Sequence, residues 1–324
     1  MSVTRALLTS AALCWPLGGP WLAAVSGQVL ALPPSTASAV PLDFYDPAPT
    51  DLAPQSLDLV DDPIQARLSE IHPTWQFLPD ELLYGSYLAG GREPRFASVL
   101  FHERDQGWLS DVTLGSRVGL LRYGGHLVGV SPVWWQLDIE AAAFPRVTLD
   151  EHRDLVSSDF RYGAPLTFRR GPLETKFSYY HMSSHLSDEY LVAHPTATRV
   201  NFVRDVLVLG VALRPNEDLR LYAEAGWAFH TDGGSRPWEF QFGVDYSPGG
   251  PVGAYGAPFL ALNTRLREEV DFGGNFTVQT GWQWRSQNGR LFRVGFHYLN
   301  GMSDQYQFYT EHEEQIGFGL WYDY

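Results

Sequence analysis

From about Phe96 to its last residue, the chain alternates apolar and polar side chains with a period of two, in one segment after another. In 159–169, Phe160, Tyr162, Ala164, Leu166 and Phe168 share one face, and Asp159, Arg161, Gly163, Thr167 and Arg169 share the other. In 219–229, Leu219, Leu221, Ala223, Ala225, Trp227 and Phe229 oppose Arg220, Tyr222, Glu224 and Gly226. The pattern repeats in 238–246, where Trp238, Phe240, Phe242, Val244 and Tyr246 oppose Glu239, Gln241, Gly243 and Asp245, and again in 276–285. Successive side chains of a strand point to opposite faces, so each segment reads as a two-faced strand.

A soluble β-sandwich alternates in the same way. Three features favour an antiparallel transmembrane β-barrel instead. The polar face carries charges and glycines in strand after strand, as a wet or tightly filled lumen would. The apolar face is dense in Phe, Trp and Tyr, several at strand ends, where interface girdles belong. In the final EQIGFGLWYDY, Ile316, Phe318, Leu320, Tyr322 and Tyr324 alternate outward and the chain stops on an aromatic. That ending resembles the C-terminal strand of bacterial outer-membrane proteins, which implies the barrel-insertion machinery as a partner.

Counting segments gives about twelve strands, an even number as expected for such barrels. The short connections 170–172, 214–218, 247–253 and 286–290 read as periplasmic turns. The long ones, 145–157, 185–199 and 300–311, read as external loops, and the two kinds alternate back from the C-terminus. Stretches 82–89 and 124–132 are ambiguous, the first readable as one more strand.

The N-terminus follows a different logic. Residues 1–27 carry one early charge, Arg5, then an apolar run, then small residues, which is the order of a secretory signal, with cleavage expected between Gly27 and Ala31. Pro16, Gly18, Gly19 and Pro20 interrupt the run and argue against a membrane anchor. Cys14, the only cysteine, lies inside it, so the mature chain has neither disulfides nor thiolate metal sites. Residues 28–74 are rich in Pro, Ala, Ser and Asp and read as a periplasmic linker, with one short helix at 64–71. The barrel is assigned to 75–324 and the protein to the outer membrane, with membrane lipid and lipopolysaccharide around it. Nothing after the signal approaches the ~18 apolar residues of a membrane helix. A net charge of −14 argues against a nucleic-acid partner, which needs a basic face. The oligomeric state is left open.

The lumen face reads as Arg117, Arg161, Arg169, Arg220, Arg265, Arg285 and Arg293 alternating with Glu140, Glu174, Glu224, Glu239 and Asp245. Mixed signs fit a salt-bridged, filled interior or a narrow pore for small solutes. His297, beside Arg293, reads as part of the same polar network.

One stretch departs from the pattern. KFSYYHMSSHLSDEY, 176–190, starts as a strand with Phe177 and Tyr179 outward, and then places His181, Ser183 and His185 on that same lipid-facing parity. Polar groups facing lipid cost free energy unless they sit at the interface or have a task. Residues i and i+2 of a strand lie ~6.5–7 Å apart on one face, so an imidazole leaning along the strand reaches a serine hydroxyl and can take its proton. The next strand offers Asn201 and Asp205 to orient that imidazole. One register sets Asp205 opposite His181, while the opposite parity turns Arg204 outward. His181 and His185, ~13 Å apart on a strand, cannot share an ion at the ~2.1 Å that zinc requires, so a metal site here would need a bend after Ser183 that brings in Asp188, Glu189 or His194, and none is assigned. The same stretch also reads as an aromatic girdle followed by a loop.

His181-Met182-Ser183 near the outer rim resembles the site of outer-membrane phospholipase A and the lipid A deacylases. The resemblance implies Ser183 as nucleophile, His181 as general base, Asp205 or Asn201 as orienting group, and a lipid acyl ester as substrate. Calcium enters only with that reading, and no other cofactor is expected. More broadly, WQFLPDELLYGSYLAG, YYHMSSHLSDEY and RDVLVLG resemble segments of the bacterial domain of unknown function 1207, an outer-membrane barrel family without an assigned activity. Two functions therefore stand: a structural or small-solute barrel, and a lipid-directed acyl hydrolase.

Overall fold

The structure, a computed structural model, describes residues 73–104, 106–127, 130–149, 153–250 and 252–324. The secretory segment, residues 28–72 of the linker and the 64–71 helix lie outside the described residues. Among those described, thirteen strands form one antiparallel sheet: β1 (Thr74–Phe77), β2 (Phe96–Glu103), β3 (Gly107–Leu127), β4 (Val130–Thr148), β5 (Leu155–Arg170), β6 (Leu173–Leu186), β7 (Val203–Leu213), β8 (Leu219–Asp232), β9 (Trp238–Tyr246), β10 (Ala257–Arg267), β11 (Gly274–Arg285), β12 (Leu291–Met302) and β13 (His312–Asp323). Each strand from β2 to β13 pairs with its chain neighbours, and β13 returns to pair with β2. The twelve strands thus close into a barrel with no free edge, as hydrocarbon demands. One six-residue helix, α1 (Asp188–Ala193), follows β6 and is capped by the Ser187 hydroxyl.

β1 lies outside this count. β2 covers β3 only from Gly107 to Leu114, and β1 pairs further along the same edge, from Leu121 to Gly124. It therefore protects backbone groups of β3 that the short β2 leaves open.

The alternation carries through to burial. Leu209, Phe229, Phe242 and Phe318 are exposed on the outer face, while Arg220, Glu239 and Asp245 are buried. Aromatic pairs ring the barrel, Trp75 with Tyr123 and Trp135 with Phe168 towards the turn end, and Tyr179 with Phe229 towards the loop end.

The lumen is filled from both ends. After β1, the chain up to Arg95 has no regular structure and from Leu83 onward runs inside the barrel, burying Tyr84, Tyr87, Leu88, Ala89, Arg92 and Arg95. This overturns the reading of 82–89 as a strand. Its apolar residues do not alternate, and its carbonyls accept from lumen arginines rather than from a neighbouring strand: Tyr84 from Arg117, Gly85 from Arg220, and Leu88 from both Arg95 and Arg293. Lumen glycines make the room. A Cβ on Gly210 would stand 3.0 Å from the Tyr84 hydroxyl. From the other end, the loop 303–311 folds inward. Tyr306 is fully buried, stacks on Phe202 at 4.3 Å, and accepts a hydrogen bond from Arg265.

The turns 171–172, 214–218 and 286–290 lie at one end as expected, and the long connections 187–202 and 303–311 lie at the other. Length does not separate the two ends throughout, because β9 and β10 are joined at the turn end across 247–256 while 233–237 and 268–273 are short connections at the loop end. The ambiguous 124–132 is a hairpin whose β3 runs to Leu127 and whose β4 starts at Val130. Both ends of the loop expected at 145–157 are strand instead: β4 runs on to Thr148 and β5 begins at Leu155. These flanks stay in the ladder because Arg146 turns inward to Asp111, at 2.6 Å, and Glu313, at 2.5 Å.

With both inserts in place, the intact protein in planar bilayers is expected to show no steady open-channel conductance, and deletion of 80–93 to produce it. Stable openings of the intact, folded protein would contradict a filled lumen.

Candidate active site on the outer face

β6 leaves the turn at 171–172 and rises towards the loop end. Ser178, Tyr180, Met182 and Ser184 are buried inside, so Tyr179, His181, Ser183 and His185 face outward. β7 pairs with it so that Asp205 stands across from His181 and Val203 across from Ser183. The parity of β7, open from sequence, follows from Arg204. Its guanidinium is fully buried near Glu239, at 3.4 Å, and Glu269, at 3.7 Å, which turns Asp205, Leu207 and Leu209 outward.

The Asp205 carboxylate gathers three donors. Its Oδ1 accepts from His181 Nδ1 at 2.9 Å and from the Tyr179 hydroxyl at 2.8 Å. Its Oδ2 lies 3.1 Å from His230 Nδ1. A carboxylate drawn out of water needs such partners. With Nδ1–H committed to Asp205, the His181 Nε2 keeps its lone pair as an acceptor. Tyr162 stacks on the imidazole with centroids 4.9 Å apart. Ser183 shares the face two residues on but makes no hydrogen bond to His181 among the described residues; such bonds often close only when substrate binds. Asn201 is not brought to the imidazole, because its Nδ2 donates to Asp232 at 3.0 Å.

Tyr162, Tyr179 and His230 were not identified from sequence. Tyr179 and Tyr162 carried the signal of sharing the His181 parity. His230 carried none, since strict alternation from Trp227 points it into the lumen. β8 has one extra residue here: Val206 pairs with Ala228, but Asp205 pairs with His230. This β-bulge at Phe229 re-aims His230 outward, as bulges near functional sites do.

The lumen residues form a separate network. Glu140 bridges Arg117, at 2.8 Å, and Arg161, at 2.7 Å. Glu174 meets Arg214, Arg220 and, at 3.9 Å, the half-exposed Arg169. Glu224 accepts from Tyr87 and pairs with Lys176, the only lysine, at 2.7 Å. Glu239 holds Arg265, Asp245 accepts from the backbone of Leu88, Arg293 pairs with Asp323, and Arg285 donates to Ser247 and Pro248. His297 joins Gln279 and Gln315. In the inward loop, burial alone would raise the Asp304 carboxyl, but Arg92, Arg265 and Arg267 outweigh it and hold it below its ordinary range. The spaces beside this network include a cavity of about 390 Å³ at the turn end, between Arg169, Arg214 and Arg285, and one of about 50 Å³ near Arg92 and His297. Among the described residues, no His, Cys, Asp and Glu cluster of metal-holding size occurs.

A family model described as "Protein of unknown function (DUF1207)" matches residues 44–324. No curated protein matches the chain. Among solved structures, the chain is similar to the KdgM porin, at 8% identity and TM-score 0.39, over 70% of this chain and 99% of that one. It is also similar to the Salmonella typhi outer membrane phospholipase dimer with bound calcium, at 11% identity and TM-score 0.46, over 70% of this chain and 91% of that one. These likenesses concern the fold alone.

Removing Glu140 leaves two buried guanidinium groups face to face. Glu140→Ala is expected to cost about 3–5 kcal/mol of stability, read by denaturant unfolding from lipid vesicles. A loss below about 1 kcal/mol would mean water already screens the pair.

Proposed function

The chain belongs to the DUF1207 family, and on that footing we propose that it is an outer-membrane barrel that works on its lipid face: an acyl hydrolase of membrane lipid with Ser183 as nucleophile, His181 as general base and Asp205 as orienting carboxylate. The observation that carries this reading is the 2.9 Å contact between Asp205 and the Nδ1 of an outward-facing His181, two residues before an outward-facing Ser183.

In this mechanism, Ser183 Oγ attacks the ester carbonyl carbon while His181 Nε2 takes the hydroxyl proton. The tetrahedral adduct then expels the glycerol or sugar oxygen, which leaves with that proton. Water attacks the acyl-serine, gives a proton to His181, and frees the fatty acid as the serine regains its hydrogen. Asp205 holds the imidazole in the required tautomer and offsets its charge when it is protonated. The substrates that fit this position are the phospholipid and lipopolysaccharide acyl chains beside the rim. Export by residues 1–27 in a Gram-negative cell, and insertion guided by the C-terminal strand, belong to the same proposal. Calcium is an assay variable in it, with no ligand set named.

A second reading is favoured by the filled lumen: a structural barrel that passes small solutes only if residues 78–95 leave. Its buried contacts, Tyr87 with Glu224 among them, oppose that movement.

The test is fatty-acid release from phospholipid and lipopolysaccharide micelles by refolded protein, with and without calcium. Ser183→Ala is expected to lower the rate by ~10³-fold or more, and Asp205→Asn by ~10²–10⁴-fold. Equal release by wild type and Ser183→Ala, both shown to be folded, would leave the structural reading.

A further inference from the structure

We infer that His230 is a positioning residue that fixes the Asp205 carboxylate for His181. The inference rests on the hydrolase reading and deepens it. Three observations support it. The first is the bulge. With unbroken pairing, Asp205 would face Phe229, and one extra residue in β8 substitutes an imidazole for that phenyl ring at the paired position. The second is the division of donors. Tyr179 and His181 of β6 both bond Oδ1, so only His230, from the opposite neighbour β8, bonds Oδ2. Donors from both flanking strands hold the carboxylate plane between them. Without His230, Oδ2 has to find water at the rim, and the carboxylate is free to tilt away from the His181 ring. The third is the environment. His230 is largely exposed, with 59% of its side chain accessible, so its orientation is not imposed by core packing.

Orientation of a catalytic base is worth large factors in rate even where the group itself touches no substrate. His230 acts through Asp205 and His181, so its removal should lower kcat and leave KM nearly unchanged. Asn is the conservative replacement, because its Nδ2–H sits where the histidine Nδ1–H sat.

The experiment compares wild type, His230→Ala, His230→Asn and Ser183→Ala, each refolded and shown to be folded by heat-modifiable migration. The assay substrate is dioleoylphosphatidylethanolamine in mixed detergent micelles. We expect His230→Ala to lower kcat about tenfold with KM within twofold, and His230→Asn to recover most of that loss. In parallel, ¹⁵N-histidine-labelled protein reports the His181 Nδ1–H proton, which should move upfield in His230→Ala and return in His230→Asn. A kcat for His230→Ala within twofold of wild type, while Ser183→Ala is inactive, would overturn the inference and spare the hydrolase reading. If wild type releases no fatty acid, the hydrolase reading fails, and the resonance alone decides. A shifted His181 signal keeps His230 as the group that positions Asp205, and an unmoved one removes it.

Discussion

Hydrocarbon offers no hydrogen bonds, so every backbone N–H and C=O that crosses it must be paired within the protein. The rest of this structure follows from that constraint. A sheet satisfies it only by closing, which β13 does by pairing with β2. Closure fixes which face meets lipid, and the two-residue period then sends every charged side chain of the strands either to the lumen or to a rim. β1 extends the same logic to a local gap, covering the part of β3 that the short β2 cannot reach.

Charges sent inward create a second requirement. A twelve-stranded barrel is too narrow to hydrate so many guanidinium and carboxylate groups freely, and an unpaired one is costly. The chain meets this with its own segments. Residues 78–95 supply carbonyls to Arg117, Arg220 and Arg293, phenol hydroxyls to the region of Glu224, and Arg92 to Asp159 at 3.0 Å. The loop 303–311 supplies Tyr306 and Asp304 to Arg265. Burial here comes from polar complementarity as much as from apolar area, which is why an irregular segment serves where a strand or helix, with its carbonyls already used, would not.

Regular alternation made the barrel and its strand directions legible in the sequence, but not the inward turn of Arg146 and Arg267, which are fully buried. What it concealed depends on contacts between distant residues. The fate of 82–89 rests on arginines far along the chain, and the run of β4 on to Thr148 rests on Arg146 reaching Glu313. The candidate site divides in the same way. His181 and Ser183 were visible from parity alone, and Asp205 was one of two parities until Arg204 was seen buried between Glu239 and Glu269. Asn201 looked equivalent to Asp205 in sequence, but lies before β7 and bonds Asp232 instead. His230 was illegible because a single extra residue reverses every face assignment beyond it.

That reversal bears on what the outer face is for. A barrel under no demand beyond stability would leave Phe229 opposite position 205 and an apolar residue there, since a carboxylate at the lipid boundary costs free energy. This chain instead keeps Asp205 and surrounds it with Tyr179, His181 and His230 drawn from both neighbouring strands. It also breaks its own ladder to bring the last of them into place. The lumen network explains itself as filling. The cluster on the outside lies apart from that filling, and Ser183 shares its face two residues beyond His181.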